Sequence, residues 1–299
     1  MIISMFRSLV IDRIRFFVNV PSSDLYSHVW SQLFEIKAMG KQLLPGGRIT
    51  AKKLKHGKTR LRYCPKARRC IASIEVGIAA DKKKYFSLDL FPTRFRGSEF
   101  SVFKELLANL LDDFNYTKLF HTAKVSYLEL AADSLLNPMG SFLPFRTKTA
   151  SSHVHPLPDG TGSINLGALS GRLRFSIYDK KRHIVEKWKE LPLHQLQTRI
   201  EARIRTTGLT ANKLEGCLKN PLPKLEIADL KELQKSSPSP AFTAFLVQCS
   251  KVGACAALKS LSLKERRKYI LQLRKAKVTW WKPQAIWQYL PSALKVIAP

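Results

Sequence analysis

The sequence predicts an α+β fold, with an antiparallel sheet carrying helices on one face and a smaller helical C-terminal region after it. Three observations predict it. Several short segments alternate apolar and polar residues with a period of two, the mark of strands. Two stretches among them carry helical periodicity instead. After Gly208 the strand signal gives way to helix signals separated by proline-rich breaks. A chain of 299 residues that is 45% apolar and 10% aromatic can bury a proper core.

Val10–Val20 reads as the opening strand and Ser22–Gly40 as a helix, with Ser-Ser-Asp supplying acceptors for its first amides and Gly40 a stop. Cys70–Ile78 and Tyr85–Phe91 read as strands. Ser98–Phe114 reads as an amphipathic helix with Phe103, Leu106, Leu107, Leu110 and Phe114 on one stripe. Leu136–Ser163, rich in Pro, Gly, Ser and Thr, reads as a long loop. Asn220–Pro223 and Ser236–Pro240 read as linkers. Ala241–Leu258 is a mostly apolar helix, Ser262–Lys275 opens with a capping box, and Pro283 suits the first turn of a last short helix. A boundary near residue 220 therefore divides the chain into residues 1–220, an α+β domain, and residues 221–299, a basic helical region. No internal repeat shows in the sequence.

The formal net charge is +29, from 51 Lys and Arg against 22 Asp and Glu. A chain this basic has a polyanion as its natural partner, because each neutralised phosphate releases a condensed counterion. Charge alone leaves a ribosome-associated or membrane-surface protein open. Arg7, Asp12, Arg13 and Arg15 interrupt the apolar stretch Met1–Val20, which argues against a membrane span or a signal segment. Cys64, Cys70, Cys217, Cys249 and Cys255 are scattered and read as reduced thiols of a cytosolic protein.

Three strands separate their faces cleanly. In Lys124–Asp133, Tyr127, Glu129 and Asp133 point one way. In Arg172–Lys180, Leu173, Phe175 and Ile177 belong to a core, and Arg174, Ser176 and Tyr178 face away from it. In Leu196–Arg205, Gln197, Arg199, Glu201, Arg203 and Arg205 oppose Leu196, Ile200 and Ile204. The expected sheet has one face on a core and one in water. The plainer reading of the polar face is a solvated surface finished by cross-strand Arg–Glu pairs. The sharper one is a metal-assisted phosphoryl-transfer site, with a tyrosyl oxygen as nucleophile, carboxylates for Mg²⁺ or Mn²⁺, and arginine and lysine for phosphate charge.

Gly160–Lys180, GTGSINLGALSGRLRFSIYDK, resembles the segment of filamentous-phage and plasmid rolling-circle replication initiators that ends in Tyr-Asp-Lys. Val10–Pro21 resembles that family's opening strand with its early Ile-Asp, and Ser87–Ser98 its Pro-x-Lys/Arg-Phe-x-Gly stretch. Val125–Asp133 resembles its Arg-x-Asp strand and Thr198–Arg205 its Arg-x-Glu strand. The resemblance spans about residues 8–210 by motif. It implies a site-specific DNA endonuclease and strand transferase. Tyr178 matches the nucleophile that keeps a 5′ phosphate and leaves a 3′-OH, and Lys180 the lysine beside it. Arg174 joins them as a catalytic candidate, and Glu129, Asp133 and Glu201 are the candidate ligands of Mg²⁺ or Mn²⁺. Tyr127 stands where the family has an arginine before its acidic residue. The implied partners are origin DNA, single- and double-stranded, and a host helicase or polymerase, in the cytoplasm of a bacterial host and away from membranes.

His153-Val154-His155 has the His-x-His form of a metal pair, but its flanking residues place it in a loop as two exposed histidines. Trp280, Trp281, Trp287 and Tyr289 either stack exposed bases or pack a core. Tyr85, Tyr116 and above all Tyr127 rival Tyr178. No Walker loop, Gly-x-Ser-x-Gly or His-Glu-x-x-His occurs.

Gly46–Cys70 holds ten basic residues and no acidic one. With Arg199 and Arg203, its Lys52, Lys53, Lys55, Arg60, Arg62, Arg68 and Arg69 are the expected DNA contacts. Replacing Lys52, Lys53 and Lys55 by glutamine should flatten the slope of log affinity against log salt by about 0.9 per lost phosphate contact. An unchanged slope removes this segment from the interface.

Overall fold

A computed structural model describes residues 6–20, 22–39, 47–53, 58–65, 70–110, 115–134, 140–147, 151–157, 160–183, 198–236 and 239–299. Ten strands hydrogen-bond in the order β2-β3-β4-β5-β1-β6-β11-β10-β9-β8. They are β1 Phe6–Asn19, β2 Gly47–Lys53, β3 Thr59–Pro65, β4 Ala72–Ile78, β5 Lys84–Leu90, β6 Lys124–Ser134, β8 Ser152–Leu157, β9 Gly160–Leu166, β10 Leu173–Asp179 and β11 Thr198–Arg205. Helices α1 Ser23–Met39, α2 Glu99–Leu110 and α3 Tyr116–Thr122 accompany the first strands. The strands β7 Phe142–Phe145 and β12 Glu226–Asp229 pair separately. The expected α+β class with a large antiparallel sheet and a helical C-terminal region is what the chain forms. No helix among the described residues is long and apolar enough to cross a membrane.

The chain divides into two compact units. One is Ile11–Glu129 with Arg205–Leu218 and Pro291–Pro299, and the other is Leu130–Ile204 with Met1–Val10 and Lys219–Leu290. The strand path is the same twice over. The chain starts on β1, leaves for the far edge and returns through β2, β3, β4 and β5; it then starts on β6 and returns through β8, β9, β10 and β11. The repeat absent from the sequence is present in the connectivity.

In the first unit the apolar positions of β5, Phe86, Leu88 and Leu90, are fully buried, as are Ile14 and Phe16 of β1. Tyr116 donates to the Ile297 carbonyl, and its ring meets Phe16 edge-on at 6.0 Å. On β1 the buried positions change phase, from Leu9 and Ile11 to Ile14 and Phe16. A one-residue shift of this kind, as at a bulge, takes both Asp12 and Arg13 off the core side. Asp89, 5% exposed, accepts from Arg13 Nε at 2.9 Å and from Arg15 Nη2 at 2.8 Å. Burial pulls the Arg13 pKa down, but the Asp89 carboxylate outweighs it and holds the guanidinium above its ordinary value.

In the second unit, Leu136–Ser163 departs from its expected loop. It contains β7, β8 and the start of β9. Packing outweighs the turn-favouring composition: all four β7 side chains are buried. Ser152 of β8 donates to the Val252 carbonyl at 2.9 Å and accepts from the Ala256 amide at 2.9 Å.

The polar group at Glu75 makes the stability of the first unit depend on pH. Burial raises this carboxyl, but hydrogen bonds from Tyr85 (2.6 Å) and Arg60 (Nε, 2.8 Å) overcome it and hold the pKa below the ordinary 4.5. A carboxyl lowered on folding stabilises the native state above its unfolded pKa, and the contribution is lost as pH falls through the folded value. The melting-temperature gap between wild type and Glu75→Gln should therefore be widest near neutral pH and close as the pH falls below about 4.

Candidate active site

β10 and β11 pair antiparallel with Ser176 opposite Glu201, Tyr178 opposite Arg199 and Arg174 opposite Arg203. Phe175 and Ile177 fill the core side with no exposed area, so Arg174, Ser176 and Tyr178 share the other face, as the alternation predicted. That face is not wet. Ser176 is 4% exposed, Asn165 7%, Arg199 5% and Glu201 1%. Burying so many polar groups is tolerable only because they satisfy one another.

Glu201 is the hub. Its Oε1 accepts from the Tyr178 hydroxyl at 2.5 Å and its Oε2 from Arg203 Nη2 at 2.7 Å. Ser176 Oγ donates to Asn165 Oδ1 on β9 at 2.6 Å. The Tyr178 ring lies 4.9 Å from that of His183. Lys180 opens a helical turn of residues 180–183 directly after β10, and Asp179 caps it by accepting from the Arg182 amide at 2.8 Å. Arg174 and Arg203 face each other across the strand pair. Like charges in that position repel, and an anion such as a phosphate relieves them.

Asp133 and Arg199 form a closed pair, Nε to Oδ1 at 2.6 Å and Nη2 to Oδ2 at 2.7 Å. Both oxygens of the expected ligand Asp133 are engaged, and the expected DNA contact Arg199 is buried. Arg203, half-buried, donates to Glu201, and Arg60, half-buried, donates to Glu75. Of the other expected DNA contacts, Arg62 is exposed on β3, while Lys52 and Lys53 lie on β2. Lys55, Arg68 and Arg69 fall outside the described residues.

Within the first unit, Asp12 of β1 and Glu129 of β6 bring carboxylate oxygens within 4.8 Å of each other. Thr93 Oγ1 donates to Asp12 at 2.7 Å, and the Tyr127 hydroxyl to Glu129 Oε2 at 2.7 Å. Two close carboxylates with oxygen donors only are suited to a hard divalent cation. Asp12 was not among the expected carboxylates because the phase shift in β1 hides its face. The early Ile-Asp pair was the signal available.

The rival tyrosines separate by environment. Tyr116 is 2% exposed, and its hydroxyl is committed to a backbone carbonyl. Tyr85 is 6% exposed and stacks on Phe17 at 5.3 Å, and burial together with the Glu75 bond pushes its pKa up. Tyr127 is half-buried beneath the Arg13 guanidinium, 4.8 Å from the ring. Tyr178 is also half-buried, and it alone among these neighbours a facing arginine pair on its own strand pair. His153 and His155 are exposed as expected, but on the strand β8 rather than in a loop. Trp281 is a packing residue, 2% exposed, with its indole N–H on the Leu225 carbonyl at 2.9 Å.

No protein-family model and no curated protein matches the sequence. Among solved structures, the chain is similar to the rolling circle replication initiator protein from Geobacillus stearothermophilus, with 11% identity and a TM-score of 0.37 over 83% of this chain and 98% of that one. It is also similar to DynU16, a protein of the dynemicin biosynthetic locus, with 10% identity and a TM-score of 0.18 over 92% and 97% of the two chains. These scores carry no argument about function, which rests on the side chains themselves.

The Arg199–Asp133 pair sets a stability test. Arg199→Ala strands a partly buried carboxylate and should cost about 3–5 kcal/mol, whereas joint replacement by methionine and leucine should be near neutral or stabilising. Urea midpoints of the three proteins check both halves.

Proposed function

We propose that this protein is a metal-dependent DNA endonuclease and strand transferase that starts rolling-circle replication through Tyr178. The observation that carries the reading is the Tyr178 hydroxyl held 2.5 Å from the Glu201 carboxylate, whose other oxygen accepts from Arg203 at 2.7 Å. A tyrosine is a weak nucleophile until a base takes its proton, and a carboxylate at this distance is placed to do so.

The tyrosyl oxygen bonds to the phosphorus of a DNA phosphodiester as its proton passes to Glu201. The bond from phosphorus to O3′ breaks, and that oxygen leaves as a free 3′-OH, taking a proton from water while Glu201 returns its own to solvent. The 5′ side stays on Tyr178 as a phosphotyrosine, and attack by a 3′-OH reverses the steps and rejoins a strand. Arg174 and Arg203 hold the phosphate and stabilise its charge, and Lys180, first in the turn after β10, assists at its edge. Asp12 and Glu129 of the first unit are the ligands proposed for Mg²⁺ or Mn²⁺. Such a cation neutralises charge on a phosphate oxygen when bound. The Tyr-Asp-Lys segment and its companion motifs support the rolling-circle assignment, with origin DNA as substrate and the 3′-OH as primer for a polymerase.

The second reading, a DNA- or RNA-binding protein without chemistry, rests on the net charge of +29. Incubation with a labelled single strand and Mg²⁺ or Mn²⁺, followed by denaturation, separates the two. A covalent adduct should form with wild type and with Tyr127→Phe, vanish with Tyr178→Phe, and form about 10²–10⁴-fold more slowly with Glu201→Gln. Binding without an adduct under either metal leaves the second reading.

A further inference from the structure

Residues 230–275 form four helices: with α4 at Leu214–Cys217, they are α5 Leu230–Lys235, α6 Pro240–Val252, α7 Ala254–Lys259 and α8 Leu263–Lys275. Phe242, Phe245 and Cys249 of α6, Ala257 and Leu258 of α7, and Tyr269 and Leu273 of α8 share one buried cluster. Tyr269 is its centre, 4.9 Å from the Phe242 ring and 4.8 Å from that of Phe245. Two details set the bends. Gly253, at φ +83°, joins α6 to α7, and a Cβ there would meet Ser152 Oγ at 2.7 Å. Ser260, Leu261 and Ser262 then make a three-residue turn into α8, closed by a full capping box between Ser262 and Glu265. Arg266 locks the turn from the other side. Its guanidinium donates to the carbonyls of Leu258 (2.8 Å), Lys259 (2.9 Å) and Leu261 (3.3 Å), tying α8 to the end of α7.

A short helix, a tight turn and a longer helix on a common core are the parts of a helix-turn-helix. The outer side of α8 has the matching chemistry. Lys264, Arg267, Lys268 and Lys275 are exposed, and helical spacing sets them on one side around Leu271, itself 59% exposed. Arg274 at the margin is tied to Glu226 (2.8 Å), and Arg266 is spent on the turn. At about 1.5 Å per residue, α8 has the length of a helix that lies in a DNA major groove. A large apolar side chain centred among these cations suits contact with base edges and thymine methyls.

We infer that α7 and α8 are a helix-turn-helix that docks α8 in the major groove of duplex DNA, a second DNA site separate from the strand-cutting tyrosine. The inference rests on the reading of this chain as a DNA-acting protein, but not on Tyr178 chemistry. Lys264, Arg267, Lys268 and Lys275 reach the phosphates flanking the groove, and Leu271 meets base edges.

The test uses the full chain carrying Tyr178→Phe, so that loss of strand cutting cannot alter its outcome. Duplex DNA with a randomised 20-base-pair core is selected on this protein, and the affinity of the recovered sequence is measured against salt. A shared motif is expected, with guanine N7 protected from methylation within it. Lys264→Ala/Arg267→Ala/Lys268→Ala should weaken binding at least 100-fold and reduce the salt slope by about three. Leu271→Ser should change which bases are selected while leaving the slope unaltered. Both α8 variants should fold as their Tyr178→Phe parent by circular dichroism, since every residue changed on α8 is exposed. Equal binding of duplex RNA, no recovered motif, or a triple variant that keeps wild-type affinity overturns the proposal. Adduct formation on a single strand, measured with Tyr178 intact, reports separately on the proposed nicking reaction and should survive the triple change.

Discussion

Glu201 is 1% exposed, and a carboxylate buried that far needs hydrogen-bond partners. The cost of removing it from water runs to several kcal/mol, so the groups around it are obligatory. Tyr178 and Arg203 meet that need in the structure, and Asp133 and Arg199 solve the same problem one step along the strands. The polar face of the sheet is thus a set of mutually dependent charges. Removing any one leaves another stranded, which fixes rotamers and holds the tyrosyl oxygen against its acceptor.

Much of this was legible in the sequence. Period-two alternation set Arg174, Ser176 and Tyr178 on one face of β10, and Glu201 and Arg203 on one face of β11, because the strand period is a backbone property that neighbours do not alter. Whether that face met water was not legible, since burial is decided by elements far apart in the chain. The same limit hid the pairing of Asp133, whose partner Arg199 lies 66 residues away. Asp12 was hidden for a different reason. The change of phase within β1 breaks the rule that separates the faces. The strands in Leu136–Ser163 were not legible because Pro, Ser and Gly report local preference, while β7 pairs with β12 and β8 is tied through Ser152 to the Val252 carbonyl.

The duplicated strand path places two tyrosine–glutamate–arginine sets in one chain. Tyr85, Glu75 and Arg60 sit in the first unit and Tyr178, Glu201 and Arg203 in the second. The first set is sealed, with its phenol stacked on Phe17 and its pKa raised. The second has an arginine facing its own arginine across the strands. One arrangement of residue types thus serves as a brace in one half of the fold and as candidate chemistry in the other. What separates them is the access and charge around the phenol.

The two outer strands of the sheet are protected differently. β8 is covered, with Ser152 joining it to the helices that follow Pro240. β2 ends the row, and it and the neighbouring β3 carry Arg48, Lys52, Lys53, Arg60 and Arg62. An open strand edge is a template for pairing with a second copy, and like charge along it is what keeps two such edges apart. The sequence of β2, with Arg48, Lys52 and Lys53 on the strand that ends the row, carries charge of that kind.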